Sequence, residues 1–279
     1  MRSLKFAAAA VGMLGLLAAT GARAEPLKIR LSWIVPLGNW GSLLLEKKDL
    51  AKHLGQSYTL ETTRYAGTPP MITALAAGEL DIANLTYSTV PIAIQNAGLD
   101  DLRVLADEFQ DGNPGYYSNE FMVLNDGPIK KVDLVPGVIP FSLDPQLRST
   151  AHALFTTADA VGVTEFSMFV ARKPYIDKNR AELTDFMEDT LRIVRWYLDP
   201  ANHQAVMEIC ARVTKQPVER FGWAFTKQDN YRNPDMLPDL AALQRNVDAM
   251  KDLGYVKASV DVKAHADLSL VQEAAKRLK

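Results

Sequence analysis

The sequence predicts an α/β chain built on a doubly wound parallel sheet, closed by a helical C-terminal region. Three observations carry that expectation. Strand-like and helix-like segments alternate from Leu27 to Gly98. The third strand, Asp81 to Leu85, is a short apolar run of the kind buried in a parallel sheet. Beyond Ala171 the chain carries four apolar stripes at helical spacing.

Leu27-Lys28-Ile29-Arg30-Leu31 alternates and reads as the first strand. A loop from Ser32 to Trp40 follows, then a helix from about Gly41 to His53, then a second strand near Tyr58 to Tyr65. In the next loop, Thr68 makes a good N-cap and Pro69 suits the first helical position, where its missing N–H costs nothing. Met71, Ile72, Leu75 and Ala76 share one face, and Gly78 ends that helix. After the strand at Asp81–Leu85 comes the polar loop Thr86-Tyr87-Ser88-Thr89. A helix follows, with Pro91 in its first turn and Gly98 at its end. Two helix N-termini thus leave one sheet edge beside Thr68, Tyr87 and Ser88, which favours anions and small polar ligands. Plain packing accounts for the same pattern, since every parallel α/β sheet repeats it. Trp33 and Trp40, in the first loop, can cap the core or stack on a ligand.

Val104 to Phe109 reads as a strand, Gln110 to Asn119 as an irregular polar segment, and Glu120 to Leu124 as a strand. Asn125-Asp126-Gly127-Pro128 is a turn and a boundary. Glu165 to Ala171 is the last strand. The helical stripes then run Leu183–Phe186–Met187–Leu191–Val194–Leu198, Val206–Ile209–Cys210–Val213, Leu240–Leu243–Val247–Met250 and Leu268–Val271–Ala275–Leu278. All four read as core contacts, and no cofactor is expected on them.

The first residues read as an address. Arg2 and Lys5 precede an apolar run from Phe6 to Ala19, and Ala22-Arg23-Ala24 is a small-x-small cleavage site. Residues 1–24 are therefore expected to be a secretory signal peptide cleaved after Ala24, giving a periplasmic protein. A retained anchor is the competing reading. Removing Arg2, Lys5 and Arg23 leaves 28 basic against 33 acidic residues, a formal charge of −5. That balance, with no basic stripe interleaved with aromatics, argues against nucleic acid as a partner. Cys210 is the single cysteine, so an internal disulfide is excluded.

An exported α/β chain of this order resembles the substrate-binding proteins of bacterial ABC importers. It is most similar to the nitrate/sulfonate/taurine type, which shares its domain with the thiamine-pyrimidine synthase family. The residues that carry the resemblance are the Trp33-to-Trp40 loop, the Gly67-Thr68-Pro69 helix start, the run Ala74 to Ala83, and the stretch Phe169 to Tyr175. The resemblance implies a periplasmic-binding-protein type II-like fold. Residues 25–125 would form lobe one, 126–170 a shortened lobe two, and 171–279 the return strand and C-terminal helices. It implies crossing strands at Phe121–Asp126 and Phe166–Ala171, and ligand loops at Asn39-Trp40, Gly67-Thr68, Tyr87-Ser88 and Phe141. It also implies a monomer that captures a small polar or anionic solute, such as a sulfonate, and delivers it to an ABC permease without bond chemistry. One departure stands out. Only about forty residues separate the two crossings, and the chain passes from Pro128–Val132 straight into Asp133-Leu134-Val135-Pro136, as if a block were missing.

Rival readings have less behind them. His53, His152, His203 and His265 form no metal-spaced pair, and no Gly-x-Ser-x-Gly elbow occurs. Glu79, Asp81 and Asp107 read as ordinary residues of turns and helix ends. The synthase branch is associated with a cysteine cluster that one cysteine cannot supply. An internally deleted relative, or an exported protein that contacts a partner without closing on a solute, is the remaining alternative.

Overall fold

The computed structural model describes residues 25–127 and 135–279, so the expected leader and the abrupt join before Val135 lie outside the described residues. A five-stranded sheet has the order β2-β1-β3-β8-β4. Its strands are β1 (Leu27–Trp33), β2 (Tyr58–Arg64), β3 (Ile82–Thr86), β4 (Leu102–Asp111) and β8 (Thr164–Arg172). β1 pairs in parallel with β2 in register Leu27↔Tyr58 to Trp33↔Arg64, and with β3 at Leu31↔Ile82. β8 inserts antiparallel between β3 and β4. The sheet is therefore mixed rather than all parallel, because β8 returns from the far side of the molecule instead of through a right-handed crossover.

Side-chain alternation divides the core between the two faces of this sheet. Ile29, Leu31, Phe169 and Ala171 meet Phe186 and Leu191 of α6 (Arg180–Leu198), Cys210 of α7 (His203–Thr214) and Val271 of α9 (Ser269–Arg277). Ala83, Leu85, Met168 and Val170 meet Met71 and Leu75 of α1 (Thr68–Ala76), Ala93 of α2 (Val90–Asn96) and Val247 of α8 (Leu240–Asp252). Leu183, Phe186, Met187, Leu191 and Val194 of the first expected stripe are buried. Gly67, not Thr68, takes the N-cap position of α1, and no side chain caps it.

The helix expected from Gly41 to His53 is replaced by two 3-10 segments, Trp40–Ser42 and Leu44–Leu50, the second kinked at Lys47. The reason lies in where the backbone N–H groups go. Trp40 N–H donates to the Glu108 carboxylate, and Lys52 and His53 N–H donate to Asp189 of α6 at 2.9 and 2.8 Å. Tertiary acceptors take donors that a helix would use internally. Gly41 also packs tightly, since a Cβ there would stand 2.8 Å from the Ser32 carbonyl oxygen.

A second, antiparallel sheet has the order β6-β5-β7, with β5 at Glu120–Leu124, β6 at Val135–Gly137 and β7 at Ala151–Thr156. Two short helices accompany it, α3 (Pro145–Thr150), capped by Asp144, and α4 (Thr157–Val161), closed by a capping box between Thr156 and Asp159. Phe121 and Phe155 stack across β5 and β7 at 4.7 Å. This sheet corrects the expected crossings. β5 pairs on both edges within the small sheet, so Phe121–Asp126 does not cross. β4 crosses instead, running beside β8 from Leu102↔Arg172 to Asp111↔Thr164. Asp107 accordingly lies inside a strand, buried, and not in a turn. The outer edge of β4 is bonded by irregular C-terminal segments. Asp107 N–H donates to Met236 O, Gln110 N–H to Tyr231 O and Val104 N–H to His265 O, while Val104 O accepts from Asp267 N–H.

Candidate functional site

The crossing strands carry acids where a buried strand usually carries none. Glu108 is fully buried. Its Oε1 accepts from Trp40 N–H at 3.0 Å, and its Oε2 accepts from Asn39 Nδ2 at 2.8 Å and Ser167 Oγ at 2.7 Å. Burial pushes its carboxyl up to about 7, against the pull of these three donors. Asn39 passes the connection onward, since its Oδ1 accepts from Ile34 and Val35 N–H, both at 3.0 Å. The loop after β1 is thus held to β4 by a polar chain.

Arg232 braces the same loop from the C-terminal side. It is buried, and its Nη1 meets Asp229 Oδ2 at 3.1 Å. Its Nη2 donates to Leu37 O at 3.1 Å, and its guanidinium lies 4.8 Å from the Phe225 ring centre.

Between these braces and the small sheet lies a narrow cleft with about 90 Å³ that a water molecule's centre can occupy, opening to solvent. Ile34, Val35 and Asn39 line it from the loop after β1, and Asn84 and Thr86 from β3. Phe109, Phe166 and Ser167 line it from the crossing strands. Asn119, Val138 and Ile139 close it from the small sheet, and Trp223, Asn230 and Arg232 from the C-terminal segment. Phe109 and Phe166 stack at 5.0 Å. Asn119 is 5% exposed, and neither atom of its amide has a hydrogen-bond partner. Its backbone is fixed, with N–H donating to Asp111 Oδ1 at 3.0 Å and C=O accepting from Thr157 N–H at 2.8 Å. A largely apolar hollow with a few convergent polar groups is how small-molecule sites are commonly built.

No family model matches the sequence, and no curated protein matches it. Solved structures match over most of its length. The periplasmic nitrate-binding protein NrtA from Synechocystis PCC 6803 superposes with a TM-score of 0.67 at 15% identity, covering 91% of this chain and 90% of that one. The periplasmic aliphatic sulphonate binding protein SsuA from Escherichia coli gives 0.63 at 15% identity, over 86% of this chain and 92% of that one. This chain has the periplasmic-binding-protein fold. The desulfurization enzyme DSZB shares it, at a TM-score of 0.63 and 10% identity, over 91% of this chain and 100% of that one. The periplasmic-binding-protein fold therefore leaves binding and catalysis both open, and the site must decide. Cys210, the single cysteine, is buried on α7, and burial pushes its thiol up to about 12, the opposite of an activated nucleophile.

Of the residues expected at the site, Asn39 lines the cleft. Trp40, one position on, points into the core and stacks on Phe225 at 5.4 Å. Tyr87 and Ser88 border a separate hollow with Ile92, Met250, Leu253 and Tyr255, although the Tyr87 ring meets Phe166 edge-on at 6.0 Å. Gly67 and Thr68 sit at the start of α1, outside the cleft lining. Phe141 is 57% exposed, two residues past Ile139, which does line it. Asn119 and Arg232 were missed. The signal for Arg232 is weak, but Asn119 closes the polar run Gln110–Asn119 between two strands, where a site residue can be sought.

Proposed function

We propose that this chain is the exported solute-binding component of an ABC importer, which takes a small polar organic solute into the cleft and presents it to a membrane permease. The observation that carries this reading is the cleft itself, lined from both sheets and holding an unpaired carboxamide at Asn119. The nitrate- and sulphonate-binding proteins that share the fold support it. Under this reading residues 1–24 direct export and are removed after Ala24, and the two sheets act as two lobes in a monomer. The lobes would hinge where the chain leaves β4 and re-enters β8. Gly112 and Gly162 stand there with φ of +82° and +71°, and a Cβ on Gly112 would lie 2.8 Å from Gly162 O. Two glycines in left-handed backbone, packed against one another, make both crossings short and free of side-chain bulk. Closing such a hinge needs contacts from both lobes, which Asn39 and Asn119 would supply.

Thermal unfolding of the protein, purified from the periplasm after expression of the full chain, tests this against a panel of solutes. A solute at a hundred times its dissociation constant should add about 2.7 kcal/mol of stability. A cooperative melt that no solute shifts would favour an exported protein that contacts a partner instead.

A further inference from the structure

Resting on that reading, we infer that the cleft selects an uncharged solute bearing a carboxamide or lactam edge, rather than an anion. The first argument is the shape of the unmet demand. Asn119 is buried in the cleft wall with both its carbonyl oxygen and its NH₂ group unpaired, and its backbone is clamped by Asp111 and Thr157. Turning the amide about its last bond exchanges the two atoms and still leaves one donor and one acceptor free. A ligand answers both at once only if it offers an acceptor beside a donor, as an amide edge does. A sulfonate, carboxylate or nitrate offers acceptors alone. It would leave one buried Asn119 atom unpaired and facing like polarity, a cost that makes such sites reject the wrong analogue strongly.

The second argument is charge. Arg232 is the cation of the described cleft lining; its two terminal nitrogens are engaged, and only its Nε is without a partner. Asp229 pairs with it, and the carbonyls of Asn230, Leu37 and Gly38 accept from it, so the pair presents no net charge to a ligand. Directly behind the wall stand the buried carboxyls of Glu108 and Asp111, through which Asn39, Ser167 and Asn119 are held. To the extent that these acids are ionised, an anion placed in the cleft would meet their charge, and the cation among the described lining residues is already paired with Asp229. A neutral solute avoids that cost. The stacked rings of Phe109 and Phe166 and the side chain of Trp223 suit a flat apolar body on it.

A charge series on one ring tests the inference. Benzamide and 2-pyridone, against benzoate and benzenesulfonate, are titrated into the periplasmically purified protein by calorimetry at millimolar concentration. Benzamide and 2-pyridone are expected to bind at least about tenfold tighter than either anion, and Asn119→Ala to remove about tenfold of their affinity while leaving the weak anion binding unmoved. Tighter binding of benzoate or benzenesulfonate would overturn the selectivity and leave the solute-binding reading standing. Binding of none of the four would overturn the carboxamide reading, and the melting panel would still decide whether the chain binds a solute. The ranking in the unaltered protein decides the matter even where Asn119→Ala fails to fold.

Discussion

Asp107 of β4 and Glu165 of β8 are buried neighbours, their carboxyl groups set against each other where the two strands lie side by side. Asp107 Oδ2 accepts from Asn233 N–H at 3.1 Å and Glu165 Oε2 from Asp239 N–H at 2.7 Å. Their other oxygens, Oδ1 and Oε1, have no hydrogen-bond partner among the described residues. Two buried carboxyls so placed disfavour a charge on both, so a proton on one of them relieves the pair.

That proton makes stability depend on pH. Burial pushes Asp107 up to about 7, and burial with the Asp107 charge pushes Glu165 well above the usual carboxylate range. Glu108 is raised to about 7 by burial as well. The folded chain therefore holds protons that the unfolded chain releases near pH 4, so stability from these groups is full below about pH 4 and declines as pH rises towards 7. Urea denaturation followed from pH 5 to pH 8 should show this fall, and Glu165→Gln should flatten it. A slope unchanged by Glu165→Gln would mean that the pair does not hold the proton.

Gly112→Ala tests the crossing. Its φ of +82° strains an L residue, and its new Cβ would press on Gly162 O. A loss of about 1–3 kcal/mol is expected by chemical denaturation, with weaker solute binding. An unchanged stability would show that this junction relaxes freely.

Asp189 anchors the turn before β2 to α6. It accepts from Lys52 N–H, His53 N–H, Tyr58 OH at 3.1 Å and Arg192 Nη1 at 2.6 Å, and is fully buried. Asp189→Ala leaves the Lys52 and His53 N–H groups and the Tyr58 hydroxyl without their acceptor, although Arg192 Nη1 keeps Leu50 O, and should cost about 3–5 kcal/mol in a guanidinium melt. A cost below about 1 kcal/mol would show that water replaces the carboxylate there.

Tyr87 separates two roles. Its hydroxyl lies outside the cleft lining, while its ring supports Phe166, which lines it. Tyr87→Phe should leave solute affinity unchanged and Tyr87→Ala should weaken it, as measured by calorimetry with whichever solute the panel identifies. A loss with Tyr87→Phe would place the hydroxyl on the ligand.

Much of the five-stranded sheet and its flanking helices was legible because its signals are local. Pro69 and Pro91 start helices, Gly78 and Gly98 follow them with positive φ, and the stripes of α6, α7 and α8 face the core. What the sequence could not display is partnership. Nothing in Glu165 to Ala171 says that this strand enters between β3 and β4, because that choice depends on where the small sheet returns the chain. The 3-10 segments before β2 depend in the same way on Glu108 and Asp189, which are remote in sequence. The site followed suit. Asn39 was visible as a polar residue in the right loop, but its neighbour Trp40 turns the other way, and Asn119 becomes a cleft residue only once β4 rather than β5 is the crossing strand.

The irregular C-terminal segments also cover the outer edge of β4. β4 spans ten residues, and its free side is stitched to Tyr231, Met236, His265 and Asp267 without any strand being formed there. A sheet edge of that length, stripped of its cover, is a template for pairing with another chain. A chain ending before residue 229 should therefore associate through β4, which size-exclusion chromatography and light scattering would reveal as open-ended oligomers. A monodisperse truncated monomer would show that the edge is harmless. In this sense the tail acts as a selvedge, keeping the woven edge from catching on its neighbours in a crowded compartment.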